Sequence, residues 1–169
     1  MNSSENSNFF PDLYLEEFDR ALDAQCRVSL PADWRKKDGE TELVMIPARG
    51  EALILLPKVM FMEFVDKARK LAIANPKMQM AFAYLGSKAR QCKCDKQGRI
   101  NLDRKMLDGI GVVNQLKMIG ALNHIRICAP QNWDSEQNAM DYLDEIQKVS
   151  DGPDDVLALL SNMIGKNHE

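Results

Sequence analysis

Hydrophobic positions in this chain follow two different periods. Phe18 to Leu22 and Val28 to Leu30 read as strands on either side of a turn. Pro31 to Lys37 predicts one short helix, with proline near its start and basic residues near its end, and Asp38-Gly39 ends it. Glu42 to Ile46 and Glu51 to Leu56 predict two more strands, joined at Pro47 to Gly50. From Pro57 the spacing becomes helical, with Val59, Met60, Met62, Phe64, Val65, Ala68, Leu71 and Ala72 as the apolar positions. Asn75-Pro76 interrupts that run, and Lys77 to Leu85 starts a second segment that Gly86 is expected to close. Strand signals return at Ala89 to Cys94, Arg99 to Leu102, Gln115 to Ile119 and His124 to Cys128, with a helix over residues 103–108. Acidic amphipathic helices are expected over residues 135–149 and 154–164, and disorder over residues 1–8. The fold class is therefore α+β.

The strand pattern occurs twice. At an offset of 72, Asp23 matches Asp95, Arg27 matches Arg99, Val28 matches Ile100 and Leu30 matches Leu102. One extra residue changes the offset to 73, and Met45-Ile46, Ala48, Ile54 and Pro57 then match Met118-Ile119, Ala121, Ile127 and Pro130. A co-linear series with one gap means two copies of one unit. Each copy centres on a tight turn with an aspartate at its start and an arginine four residues on. Gly98 gives the second turn backbone freedom that other residues lack.

Charge changes the picture more than composition does. The net charge is −3, but residues 1–19 carry −5, residues 20–105 carry +8 and residues 106–169 carry −6. A basic centre between acidic ends is compatible with phosphate binding by one face, and equally with ordinary solvated charge. Cys26, Cys92, Cys94 and Cys128, with His124 and His168, lack the spacing of a zinc site and read as reduced thiols, so no metal or other cofactor is expected. His124, at the start of a strand, reads as a packed or surface histidine. The sequence shows no phosphate-binding Walker loop, dinucleotide-binding glycine turn, nucleophile elbow or HExxH. Asp23, Asp95 and His124 are not grouped with a nucleophile, so no enzyme and no small-molecule substrate are expected. Neither a signal peptide nor a membrane span is legible, which predicts a cytoplasmic protein.

Leu22-Asp23-Ala24-Gln25-Cys26-Arg27-Val28-Ser29-Leu30-Pro31 and Asp95-Lys96-Gln97-Gly98-Arg99-Ile100 resemble the doubled motif of the MraZ family of bacterial transcription regulators. Met118-Ile119-Gly120-Ala121-Leu122-Asn123-His124-Ile125, followed by Trp133, also fits the end of the family's second unit. The resemblance covers residues 18–134. It implies two pseudo-symmetric AbrB-like, swapped-hairpin units, over residues 18–57 and 91–134. A tail over 1–17, a helical linker over 58–90 and C-terminal helices over 135–169 complete the division.

The resemblance further implies a nucleoid-associated repressor of the cell-division and cell-wall gene cluster. Such a protein binds double-stranded promoter DNA at short repeats as a homo-oligomeric ring. Arg27 and Arg99 would contact DNA, and Asp23, Asp95 and Gly98 would fix the turns. Arginine is the side chain best shaped for bidentate contact with phosphate or guanine. Lys36, Lys37, Arg104 and Lys105 flank the turns in short helices and are expected to meet phosphates. The first motif carries Gln25-Cys26 where the family usually has Lys-Gly, and Asp103 stands where a proline is usual. Cys26 is expected to constrain its turn, leaving Arg99 the stronger contact. The alternative is an antitoxin-like interaction module of the same fold group, carried by the acidic C-terminal segment.

Overall fold

The computed structural model describes residues 13–72 and 75–133. The expected helices over 135–149 and 154–164, and the expected disorder over 1–8, lie outside those residues. The chain runs β1 (Glu17–Ala21), β2 (Arg27–Ser29), a single 3-10 turn (Ala32–Trp34), β3 (Glu42–Ala48), β4 (Ala52–Pro57), α1 (Lys58–Ala72) and α2 (Pro76–Lys88). It then repeats the strands as β5 (Arg90–Lys93), β6 (Arg99–Asn101), α3 (Arg104–Gly109), β7 (Gln115–Gly120) and β8 (Ile125–Cys128).

Six strands form one antiparallel sheet in the order β1-β7-β8-β4-β3-β5, and β2 and β6 form a separate two-stranded ribbon. The repeat is visible in the register. β1 leaves its own unit to pair with β7, with Ala21 opposite Gln115 and Phe18 opposite Met118. β5 does the same with β3, with Lys93 opposite Glu42 and Arg90 opposite Met45. These positions are equivalent at the offsets of 72 and 73. The pseudo-twofold passes between β4 and β8, where Leu53 faces Ile127 and Ile54 faces Arg126. In the ribbon it passes through Val28 opposite Ile100.

The centre of the sheet is covered on both faces. Met45, Leu53, Leu55, Met118, Ile125 and Ile127 face the ribbon and meet Val28, Leu30, Ile100, Leu102 and Leu107. Val44, Ile46, Ile54 and Leu56 face the other way and meet Phe64 and Ala68 of α1. β4 is therefore buried along its whole length, which is why Ala52 to Leu56 reads as a continuous apolar run. Trp34 closes the ribbon side, edge-on to Tyr14 and Phe18 at 5.8 and 5.1 Å. Gly120 admits the N-terminal segment: a Cβ there would lie 2.6 Å from the backbone of Tyr14 and Leu15.

Several element ends differ from those read in the sequence. The helix expected over Pro31 to Lys37 is only one 3-10 turn, so Lys36 and Lys37 lie beyond it. Pro47 and Ala48 continue β3 rather than turning. The pairing with β5 has ended at Met45, so Pro47 sits where that side of the ladder needs no donor. Gly86 lies inside α2, which continues to Lys88. Asn75 caps α2, its side chain accepting from Lys77 N and Met78 N, so the break at Asn75-Pro76 is also a helix start. Asp103 likewise caps α3 by accepting from Met106 N at 3.0 Å.

Ile100 is fully buried at the pseudo-twofold. Ile100→Ala should cost about 2–5 kcal/mol in urea unfolding. Val113→Ala, at a side chain 70% exposed, should stay within about 0.5 kcal/mol. Equal losses at the two positions would contradict this account of the core.

Candidate nucleic-acid interface

The two Asp-to-Arg turns have the same internal bonding. Asp23 N donates to Arg27 O at 3.0 Å and Cys26 N to Asp23 O at 3.0 Å; Asp95 N donates to Arg99 O at 2.8 Å and Gly98 N to Asp95 O at 3.0 Å. Asp23 Oδ1 accepts from Gln25 N at 2.9 Å and Arg27 N at 2.8 Å, and Asp95 Oδ1 accepts from Gln97 N and Arg99 N, each at 2.9 Å. An aspartate is short enough to reach its own backbone two residues on. The second carboxylate oxygen accepts from the arginine's Nε, at 2.7 Å for Arg27 and 3.0 Å for Arg99. The backbone N–H of the arginine is the main cause holding each carboxyl below the ordinary value of 3.8; burial opposes it, and the arginine side chain and a glutamine N–H add to the lowering.

The residue before each arginine must be left-handed. Cys26 takes φ 58° and Gly98 takes φ 80°. The two turns therefore share one shape, which Cys26 holds at the steric cost of a side chain in the left-handed region and Gly98 holds without that cost. Glycine has a further role at 98. A Cβ there would lie 2.2 Å from Arg35 Nη1, so Gly98 is the seat for the Arg35 guanidinium. Over the first turn, Arg104 Nη1 lies 3.8 Å from Cys26 Sγ. Each turn is thus backed by an arginine from the other unit.

The ribbon sets where the two motif arginines project. Arg27 faces Asn101 and Ser29 faces Arg99 across the ladder. Because side chains alternate along a strand, these four share one face, while Val28 and Ile100 fill the core on the other. Arg27 and Arg99 are diagonal neighbours, a separation of about 7–8 Å, somewhat less between Cβ atoms, by strand geometry. Their side chains do not stand free of the surface; they are only 30% and 29% exposed and lie against their aspartates. The aspartates hold Nε, and both Nη groups of each arginine remain without a hydrogen bond among the described residues.

The flanking cations divide into two kinds. Lys36, Lys37 and Lys105 are exposed, and Lys36 N is fixed by Thr41 Oγ1 at 2.8 Å. Arg104 is committed internally: Nε bonds Asp108 Oδ1 at 2.9 Å, Nη1 bonds Val113 O at 3.1 Å and Nη2 bonds Val112 O. Residues not singled out by the sequence reading join the surface. Ser29 and Asn101 complete the ribbon face, Arg20 Nε donates to Ser29 O at 3.2 Å, and Arg35 and Lys96 stand beside the second turn. Ser29 and Asn101 carried a signal, since Arg-Val-Ser-Leu and Arg-Ile-Asn-Leu both alternate polar and apolar residues. Arg35 carried none, because its neighbour Gly98 is distant in sequence.

Other titratable groups lie apart from the turns' bonding. His124 bonds Asn123 Oδ1 at 2.8 Å and is pushed down to about 4 by burial and then by Arg126. Burial, followed by Asp103, pushes the Cys92 thiol up to about 11. Among the described residues, no three His, Cys, Asp or Glu side chains converge on a metal-sized site.

Two outcomes follow from this geometry. Gly98→Ala should destabilise the fold by about 1–2 kcal/mol through its left-handed backbone and displace Arg35, while unchanged thermal unfolding would contradict it. Both motif carboxyls have lowered folded values, so their contribution is present above pH 3.8 and is lost as pH falls through those values. Carboxyl-carbon NMR should show Asp23 and Asp95 titrating below the aspartates of the unfolded chain; inflection at or above 3.8 would rule out the bonding described.

The family model described as "MraZ protein, putative antitoxin-like" matches residues 13–81. A protein of Corynebacterium jeikeium named Transcriptional regulator MraZ is 30% identical over 146 residues, covering 86% of this chain and 98% of that protein. Proteins of the same name from Lachnoclostridium phytofermentans and Desulforapulum autotrophicum are 28% and 29% identical, covering 79% and 75% of this chain and 92% and 86% of theirs. The match to the Corynebacterium protein takes in nearly all of its length. With the doubled turn and the exchanged strands, it places this chain in the MraZ family.

Proposed function

We propose that this chain is a sequence-specific DNA-binding transcriptional regulator that meets double-stranded DNA with the outer face of the β2–β6 ribbon. One observation carries the reading: two guanidinium groups, each held at Nε by its own aspartate, share one face with both Nη forks open. Paired Nη donors match guanine O6 and N7 or a phosphate. Arg27 and Arg99 take the base-edge role, while Asp23, Asp95 and Gly98 keep the turns in shape. Lys36, Lys37 and Lys105 supply phosphate contacts, which position the protein without reading sequence. Arg104, tied to Asp108 and two carbonyls, serves as a brace for the first turn.

The finer reading follows the family resemblance. The protein represses the cell-division and cell-wall gene cluster, binds short promoter repeats and assembles as a ring. Exposed apolar side chains on the helices support a subunit contact, with Val59 58%, Met80 72% and Tyr84 62% exposed. A second reading, an antitoxin-like protein-interaction module, draws support from the family model's description and from an apolar groove of about 290 Å3 between α1 and α2. Gel shifts separate the two: saturable, sequence-selective shifts support the regulator, and none at low salt supports the module.

Because the two turns have one geometry, Arg27→Ala and Arg99→Ala should weaken operator binding to comparable extents while leaving the fold intact. A lost base contact should cost about 1–3 kcal/mol and relax preference at one position. A lost phosphate contact should act alike on all DNA and lower the salt slope by about one unit. Wild-type affinity in both variants would refute the proposed interface. For the ring, light scattering at micromolar concentration should give several times the 19.1 kDa chain mass, and a monomer would rule it out.

A further inference from the structure

A cavity of about 550 Å3 opens beside the second turn, where segments of both units meet. The first unit contributes Arg35, Lys36 and Lys37, and the second contributes Lys96 with the Asp95-to-Gly98 turn. Its acids are already engaged: Asp95 with Arg99 at 3.0 Å and Glu40 with Lys93 at 3.7 Å. Its four cations form no ion pair among the described residues. Arg35 lies against Gly98, and its buried Nε has no hydrogen-bond acceptor. A half-buried guanidinium with no protein counter-charge, among three lysines, favours an anion. Beside the first turn, by contrast, Asp108 neutralises Arg104.

We propose that this cavity is a phosphate-binding site, with Arg35 as its planar donor and Lys36, Lys37 and Lys96 as its surrounding charges. Two sources offer that chemistry: a backbone phosphate of the DNA duplex, or a free phosphorylated compound. The first rests on the DNA-binding reading and adds a sequence-independent contact next to Arg99. The second makes the cavity an effector site whose occupant bears on the turn, because Arg35 is seated on Gly98.

The test uses the full chain, the Arg35→Gln variant and a Lys37→Gln/Lys96→Gln double variant. Both lysines are exposed, so the double variant keeps the test valid if Arg35→Gln disturbs the turn. Duplex affinity is measured across a salt series on operator and unrelated DNA, and inorganic pyrophosphate is titrated by calorimetry. If the backbone fills the site, the variants lose affinity by the same factor on both duplexes, and the salt slope falls by about one unit per phosphate contact removed. If a free phosphate fills it, pyrophosphate binds the wild type, binding is at least tenfold weaker in the variants, and pyrophosphate alters wild-type duplex affinity. Unchanged salt slopes, together with no pyrophosphate binding or equal binding by all three proteins, overturn the proposal. A wild type that binds no duplex refutes the proposed function instead, and the pyrophosphate titration then decides the cavity alone.

Discussion

The rest of this structure depends on the antiparallel pairing of β2 with β6 about Val28 and Ile100. The pairing extends into the turns. Leu30 N donates to Gly98 O and Leu102 N to Cys26 O, each at 2.9 Å. The left-handed residue of one motif is therefore anchored by the strand of the other. Neither turn is completed by its own unit, and neither unit is large enough to bury a core alone. The exchanged edge strands impose the same dependence on the sheet.

On this frame the aspartates contribute geometry more than stability. Half-exposed ion pairs such as Asp23–Arg27 and Asp95–Arg99 add little to folding free energy. What they do is hold a long, flexible side chain in one orientation before a partner arrives, which lowers the entropic cost of binding. The same carboxylate that shapes the turn, through two backbone N–H groups, also aims the arginine. Turn shape and guanidinium position are therefore set by one residue.

The two copies have diverged around a common turn. Cys26 accepts a left-handed backbone that Gly98 adopts without steric penalty, and the residues backing them differ. Arg104 is neutralised by Asp108 and bonded to two carbonyls, whereas Arg35 lies on Gly98 facing a basic cavity. The duplicated unit thus presents two equivalent motif arginines in unlike electrostatic surroundings.

Much of the local structure was legible in the sequence, because it depends on chemistry within a few residues. The Asp-to-Arg turns, the doubled unit, the α1 run and the break at Asn75-Pro76 are all of this kind. Element ends were less legible: tertiary packing carries α2 through Gly86 and shortens the helix expected after Pro31. The distinction between Arg35 and Arg104 was not legible at all, since each is defined by a neighbour from the opposite unit. Alternation tells which face of a strand is buried but not which strand lies beside it. The sequence by itself determined the turns and the inward positions of Val28 and Ile100. Only the tertiary structure decided that β1 crosses to β7 and β5 to β3. It also brought Arg27 and Arg99 onto one face, because hydrogen-bond ladders between distant segments are selected by the whole packed core.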